Sequence, residues 1–231
     1  MDQRVALITG AGRGIGRAAA VALSQAGFHA VLVSRTAGEL EETARLCAGK
    51  TSRFPCDVSD AADVDKLLEK LLQSVRRVDV LIHCAGHVVM RSIEELKLDE
   101  WRALIDINLS SIYFFCRRLW PVWRKQGGGV VVNVSSYAAR DPLAGLGAYG
   151  ATKAGVNLLG LALAREGAAI GVRVHTVAPA ATETAMLRSI ISHQQVPTEK
   201  TLAAEDVARV IVQCATGDLA CTSGEVIYVH K

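Results

Sequence analysis

Apolar residues in this chain come in short blocks, and between the blocks lie longer stretches in which apolar positions recur every three or four residues. The blocks fall at 5–9, 30–34, 52–56, 78–84, 130–135, 172–177 and 225–229. Their length, and their content of Val, Ile and Leu without polar alternation, predict strands buried on both faces. The stretches at 14–25, 37–47, 61–74, 98–125, 148–168 and 203–215 have helical length and periodicity, with a break predicted inside the fourth. Regular alternation of the two kinds predicts parallel strands joined by right-handed crossovers. The expected fold class is therefore α/β, a Rossmann-like doubly wound parallel sheet of about seven strands, in a single domain over residues 1–231. In such a sheet ligands bind at the carboxyl ends of the strands, where the strand order reverses.

One segment departs from the alternation. From Thr182 to Thr201 the chain holds a short apolar stretch at 186–191, then Ser192-His193-Gln194-Gln195 and Pro197. That mixture predicts a helical flap over the crevice, where substrate choice would reside and where His193 could touch substrate.

Composition narrows the function classes. Half of the 231 residues are hydrophobic, enough for a sheet covered on both faces, yet no block approaches the ~20 residues of a membrane span. Met1-Asp2-Gln3-Arg4 leads straight into the first strand, so no signal or transit segment is expected and the expected location is cytoplasmic. Cys47, Cys56, Cys84, Cys116, Cys214 and Cys221 are scattered without Cys-x-x-Cys spacing, and His83, His87, His175 and His193 show no metal-ligand spacing. Reduced thiols and no metal site are expected. A formal charge of +3 with dispersed Lys and Arg does not mark a nucleic-acid surface. Small-molecule chemistry remains.

The residues that carry such chemistry all fall just after predicted strands. Thr9-Gly10-Ala11-Gly12-Arg13-Gly14-Ile15-Gly16 follows the first block and opens a helix. A glycine turn there lets the backbone approach a dinucleotide pyrophosphate and presents it to amide N–H groups at the positive end of a helix dipole. Gly10, Gly14 and Gly16 fit those tasks. The end of the second strand reads Ser34-Arg35-Thr36. No acid stands there to hold a ribose 2′-hydroxyl, because Glu39 lies in the following helix, whereas Arg35 and Arg13 offer two guanidiniums for a 2′-phosphate. NADP(H) is the preferred cofactor, with NAD(H) possible.

Tyr149-Gly150-Ala151-Thr152-Lys153 places a phenol and an ammonium four residues apart, on one face of a predicted helix, with Ser136 thirteen residues upstream. A Tyr–Lys pair at this spacing is, by itself, an ordinary surface pairing; its company gives it meaning. Hydride delivered to a carbonyl carbon leaves an alkoxide, so the site needs an acid near the oxygen and a donor to orient it. Tyr149 suits the acid. Lowering a phenol from ~10 to ~7 takes about 4 kcal/mol, and one cation ~4 Å away at an effective dielectric of ~20 supplies a similar amount. Lys153, helped by the positive nicotinamide ring of an oxidised complex, is thus sufficient in magnitude. Ser136 would hydrogen-bond the substrate oxygen, while Ser135 reads as structural and Tyr113 and Tyr137 as packing residues.

From Val5 to about Thr184 the chain resembles the short-chain dehydrogenase/reductase family, in its carbonyl-reductase or 3-oxoacyl-ACP-reductase-like branch. The resemblance rests on the glycine turn, Asp57-Val58 after the third strand, Ala85-Gly86 after the fourth, Asn108 within a helix, Ser136, Tyr149-x-x-x-Lys153, and Pro179 leading to Thr184. It implies a catalytic tetrad of Asn108, Ser136, Tyr149 and Lys153, with Asn108 binding a water that links Lys153 to solvent and Lys153 also holding the ribose. It further implies that Asp57 and Val58 border the adenine, that Ala85 and Gly86 line the cofactor, and that Pro179, Thr182 and Thr184 close on its nicotinamide end. His83-Cys84 replaces the usual Asn-rich pair, Ala180 replaces a common glycine, and the chain ends without Asp-Gly-Gly. The first puts in doubt the bonds tying the fourth strand to its neighbours, and the last the subunit contacts of a homodimer or homotetramer.

The leading expectation is an NADP(H)-dependent oxidoreductase working between a carbonyl and a secondary alcohol. A carbonyl or 3-oxoacyl thioester reductase fits best. The alternatives are an NAD-dependent alcohol, sugar or steroid dehydrogenase of the same family and a non-catalytic cofactor-sensing protein, which would tolerate loss of Tyr149 or Lys153.

Overall fold

The computed structural model describes residues 3–231, so Met1 and Asp2 of the predicted run into the first strand lie outside the described residues. Seven strands form one sheet: β1 (Val5–Thr9), β2 (His29–Ser34), β3 (Thr51–Pro55), β4 (Val80–His83), β5 (Gly129–Val134), β6 (Val172–Pro179) and β7 (Val226–Val229). They lie in the order β3-β2-β1-β4-β5-β6-β7, and every pairing is parallel. The helices are α1 (Gly14–Gln25), α2 (Ala37–Leu46), α3 (Ala61–Ser74), α4 (Leu98–Ile105), α5 (Ser111–Gln126), α6 (Gly147–Gly167), the short α7 (Ala185–Arg188) and α8 (Ala204–Thr216). The predicted doubly wound sheet is what the chain forms, and its order reverses between β1 and β4.

The two faces of the sheet carry separate cores. Leu7, Val31, Leu81 and Val131 pack with Leu68, Phe115 and Val156 from α3, α5 and α6. Ile8, Leu32, Ile82 and Val132, the neighbours in sequence, pack with Leu23 and Ile211 from α1 and α8. Strands buried on both sides need apolar residues at every position, which explains the missing polar alternation.

Boundaries shift by small amounts. The block at 78–84 yields the shorter β4, because the Val78 carbonyl accepts from the indole of buried Trp123 at 2.9 Å and the Asp79 carboxylate accepts the Val5 amide at 2.8 Å. The Val78 carbonyl is thereby diverted from the ladder, while the Asp79 backbone still bonds Val5 and Val130 at 2.9 Å. β6, conversely, continues through Pro179, where it pairs with Val229. The break expected within 98–125 is a π-helical turn, Asp106–Ser110, that joins α4 to α5 and turns Asn108 inward.

Helix α6 sets the position of the phenol and ammonium. It lies close on β6 because Gly160 faces the sheet; a Cβ there would fall 2.5 Å from the Thr176 hydroxyl. Its first turn meets the loop after β5 just as closely, since a Cβ on Gly150 would fall 2.5 Å from the Ala138 carbonyl oxygen. Contacts this tight fix the helix against the strand end that carries Ser136.

Candidate active site

A cavity of about 550 Å³ runs along the carboxyl ends of the strands, across the place where their order reverses. One half is built by the first two strand–helix turns. Gly10 and Gly14 have φ of 64° and 53°, the left-handed region that favours glycine. The backbone also crowds there. A Cβ on Gly16 would sit 2.1 Å from the Gly10 carbonyl oxygen, and one on Gly10 would sit 2.7 Å from the Ala85 amide. Helix α1 begins at this turn with Arg13 at its N-cap, no side-chain capping bond and no acid in its first turn. Its leading amides are thus left for a ligand, which is the arrangement a pyrophosphate requires.

Two side chains unmarked by any motif brace the turn. Arg17 donates to the Gly12 carbonyl from Nε at 2.9 Å, and Thr43 donates to the Ala11 carbonyl at 2.9 Å. Gly12, Arg13, Ile15, Ser34, Arg35 and Thr36 all line this half of the cavity. Arg13 and Arg35 are exposed, and neither makes an ion pair among the described residues. Asp57 and Val58 form the next stretch of wall. Burial works to raise the Asp57 carboxyl, but hydrogen bonds from the Ser59 hydroxyl (2.7 Å) and amide (3.0 Å), with the Arg35 charge, outweigh it and hold the group below its ordinary value.

The structure corrects the reading of Glu39. Although it belongs to α2, its side chain lines the cavity, and its Oε2 lies 2.7 Å from where a Cβ on Gly12 would be. An acid does stand beside the end of β2.

The other half of the cavity carries the candidate chemistry. Ser136, Tyr149 and Lys153 line it together with Ala85, Gly86 and Pro179. The Lys153 ammonium lies 5.8 Å from the centre of the Tyr149 ring and donates to the Val134 carbonyl at 2.9 Å. Burial lowers the Lys153 pKa to about 8, opposed by the Cys84 thiol beside it. Burial raises the Tyr149 phenol, opposed by a hydrogen bond with Ser136. In the chain without its dinucleotide, desolvation dominates both groups and places the phenol above its ordinary value. The phenol is kept protonated.

Asn108 is brought to the same region but does not line the cavity. Its Oδ1 accepts the His87 amide at 2.7 Å, and its Nδ2 donates to the His87 carbonyl at 2.9 Å and the Thr152 hydroxyl at 3.0 Å. The amide ties the loop after β4 to α6 from behind. Ser135 donates to the Lys153 carbonyl at 3.1 Å, a structural bond as expected. The doubt over His83-Cys84 resolves through Thr9: its hydroxyl donates to the Ile82 carbonyl at 3.4 Å and accepts the Ala85 amide at 3.2 Å, tying β1 to the end of β4. Both ring nitrogens of His83 are buried without a hydrogen-bond partner among the described residues.

The predicted flap covers the crevice through α7. Thr184 caps α7 by accepting the Leu187 amide at 3.2 Å, and its Cγ2 sits 3.2 Å from the Cβ position of Gly14. Thr182, which also lines the cavity, is tied to the chain by a bridge to Leu202. Met186, Leu187, Ile190 and Ile191 form the inner face of the flap. His193 is not part of the lining; it pairs with Thr198 at 3.3 Å on the exposed side. Tyr137, expected as a packing residue, both lines the cavity and meets Tyr228 edge-on at 5.8 Å. The remaining walls, Val88, Ile107, Ala138, Asp141, Leu143 and Leu146, come from several loops and carried no sequence signal.

Comparison with known proteins agrees with this geometry. A family model described as short chain dehydrogenase matches residues 4–195. An uncharacterized oxidoreductase of Staphylococcus aureus is 30% identical over 218 residues, which cover 94% of this chain and 92% of that protein. Among solved structures, a 3-ketoacyl-(acyl-carrier-protein) reductase from Brucella melitensis complexed with NADH superposes with a TM-score of 0.91 at 28% identity, covering 98% of this chain and 96% of that one. The protein ElxO with NADP bound gives 0.90 at 26% identity, with 99% and 97% covered.

Proposed function

Because this chain belongs to the short-chain dehydrogenase family and is thereby an NAD(P)-dependent oxidoreductase acting on CH–OH groups, we propose that it reduces a carbonyl with NADP(H), as a carbonyl or 3-oxoacyl thioester reductase. The observation that carries this reading is one continuous cavity with an uncapped helix N-terminus at one end and Ser136, Tyr149 and Lys153 at the other.

The residues present fit the cofactor. The α1 amides and the glycine turn would hold the pyrophosphate, Asp57 and Val58 the adenine side, and Ala85, Gly86, Pro179, Thr182 and Thr184 the nicotinamide end. Bound NAD(P)H supplies a hydride to the carbonyl carbon. Tyr149 gives its phenolic proton to the carbonyl oxygen, which its raised pKa suits in the reducing direction. Ser136 donates to the same oxygen and orients it, and the Lys153 ammonium stabilises the phenolate left behind. Asn108 is a positioning residue, holding the His87 loop and α6 in register.

The preference for NADP(H) is supported by the exposed guanidiniums of Arg13 and Arg35 on the cavity wall, which make no ion pair among the described residues. The Glu39 carboxylate at the same wall favours a second reading, NAD(H)-linked alcohol oxidation, because an acid there can accept a ribose hydroxyl. A homodimer or homotetramer is supported by an apolar groove between α5 and α6, where Tyr113 and Leu158 are 56% and 69% exposed beside Leu109 and Phe114.

A panel of ketones and a neutral 3-oxoacyl thioester, offered with NADPH and with NADH and followed by absorbance, tests the reading. Tyr149→Phe should lower turnover about 10²- to 10⁴-fold. A variant as fast as the parent would remove the phenol from the mechanism.

A further inference from the structure

The substrate half of the cavity presents a largely apolar surface: Val88 from the loop after β4, Leu143 and Leu146 from the loop before α6, and Met186, Leu187 and Ile190 from the flap. A bound carboxylate or phosphate would need a cation among them. The cations that lie near are committed elsewhere; Arg91, whose amide donates to the Gly145 carbonyl at 2.9 Å, pairs with Glu100 at 3.8 Å. The Lys153 ammonium is buried and donates to the Val134 carbonyl. Arg188, the arginine of the flap, donates to both carboxylate oxygens of Glu183 and to the Val196 carbonyl at 2.8 Å, and it does not line the cavity.

The charge that does face this half is negative. Asp141 lines the cavity five residues beyond Ser136, on the loop whose Ala138 carbonyl rests against the first turn of α6. Its backbone amide donates a hydrogen bond to the Tyr137 carbonyl at 3.0 Å, which fixes the main chain there. Its carboxylate is exposed at the rim and makes no hydrogen bond or ion pair among the described residues. Nearby Arg140 is turned away, with its guanidinium 5.7 Å from the centre of the Tyr228 ring.

Resting on the reductase reading above, we propose that the substrate is a predominantly apolar carbonyl compound without negative charge, and that Asp141 is the specificity residue that rejects its anionic counterparts. An unpaired carboxylate at an apolar mouth costs a neutral ligand little. A second carboxylate brought beside it meets like-charge repulsion with no cation to offset it. Because Asp141 is solvent-exposed, the interaction belongs to the weak, salt-screened class, worth about fivefold in relative rate.

Matched probes separate this effect from general binding: benzoylpropionate, its uncharged methyl ester, and a trimethylammonium ketone of the same length, each with saturating NADPH. The parent enzyme should prefer the ester and the cationic ketone over the acid, through KM more than kcat. In Asp141→Asn the ester-to-acid ratio of kcat/KM should fall about fivefold, and in Asp141→Lys it should fall further, toward or past unity. Added salt should narrow the parent ratio and leave the Asp141→Asn ratio nearly flat, a response that a structural effect of the substitution would not produce. Binding of the three ligands to the cofactor-loaded Tyr149→Phe enzyme, read by calorimetry, should follow the same order without turnover. A parent that reduces acid and ester equally well, while still depending on Tyr149, overturns the charge proposal and leaves the reductase reading standing. Failure to reduce any ketone with either nucleotide overturns both.

Discussion

The ammonium of Lys153 lies 3.8 Å from the point a Cβ on Gly86 would occupy, and the Asn108 amide oxygen lies 3.6 Å from that same point. Gly86, Lys153 and Asn108, from three separate elements, therefore meet around one small volume, with Asn108 behind the cavity wall. A methyl group at Gly86 meets only ordinary van der Waals distances, so Gly86→Ala should fold with little change in melting temperature. It occupies space on the nicotinamide wall, however, and should weaken dinucleotide binding by about tenfold or more. Gly16 behaves oppositely. A Cβ there would sit 2.1 Å from a backbone oxygen, so Gly16→Ala should lower stability itself by several kcal/mol, as forced overpacking does, on the order of 1–3 kcal/mol or beyond. Thermal melts with and without NADPH distinguish the two.

Cofactor preference turns on a contest between charges of opposite sign at one wall. Arg35, Arg13 and Glu39 line the same half of the cavity, with Glu39 against Gly12 of the glycine turn. Arg35→Asp should lower kcat/KM for NADPH about tenfold to a hundredfold, the range of a lost charge-assisted hydrogen bond, with NADH much less affected. Glu39→Gln should move selectivity further toward NADPH. Parallel NADPH and NADH kinetics check both, and unchanged ratios would remove these residues from cofactor choice.

That contest also shows where sequence reading succeeds and where it stops. Gly10, Gly14 and Gly16 are legible because positive φ and backbone contact demand one residue type at fixed spacing. Tyr149 and Lys153 are legible because helical spacing aligns them and Ser136 and the glycine turn stand at fixed places around them. The strand blocks are legible because burial on both faces leaves an unbroken apolar run. Glu39 is not legible, since how far a helix residue reaches sideways depends on the packing of α2 against the first loop. Neither is the substrate wall: Val88, Ile107, Leu143 and Ile190 come from distant loops and share no local pattern. The pKa of Tyr149 is hidden for a similar reason. The spacing shows its cationic neighbour, whereas desolvation, the larger influence here, exists only once the chain has folded.

Asn108 should act through position rather than contact. Asn108→Ala leaves the His87 amide and carbonyl and the Thr152 hydroxyl without their partner, which costs about 1–3 kcal/mol for buried polar groups. Turnover should fall together with stability. Asn108→Asp, which keeps the acceptor toward the His87 amide and loses the amide's donor to Thr152, should restore part of neither unless protonated, so its activity should recover at acidic pH. Denaturant melts paired with a pH–rate profile test this; a variant with full stability and no activity would instead indicate a direct role at the reacting atoms.

The pH dependence of reduction should report the lysine. Below about 8 the Lys153 ammonium is charged, and above it the group is neutral; the phenol, whose pKa is raised from 10.0, stays protonated across that range. Since kcat/KM reflects the free enzyme, it should decline as pH rises through about 8. Lys153→Arg keeps its charge to far higher pH. Whatever activity it retains should lack that decline, and a parent profile that stays level through this window would contradict the assignment.

Acid stability should depend on His83. Its ring is buried against Phe115, with centroids 5.6 Å apart, and neither nitrogen has a hydrogen-bond partner among the described residues. Burial, with the Lys153 charge, lowers its pKa from 6.5 to about 3. Between those values the unfolded chain binds a proton that the folded chain does not, so stability declines as pH falls through 6.5 toward 3 and is not affected by this residue below that. His83→Leu removes the group from both states. Relative to the variant, the parent's urea midpoint should therefore fall steadily as pH drops through the window, so that the variant's advantage is smallest near neutrality and largest at the acid end. The comparison cancels the carboxylates, which titrate alike in both proteins. A constant gap between the two midpoints across the whole range would show that the imidazole takes up its proton equally well in the folded chain.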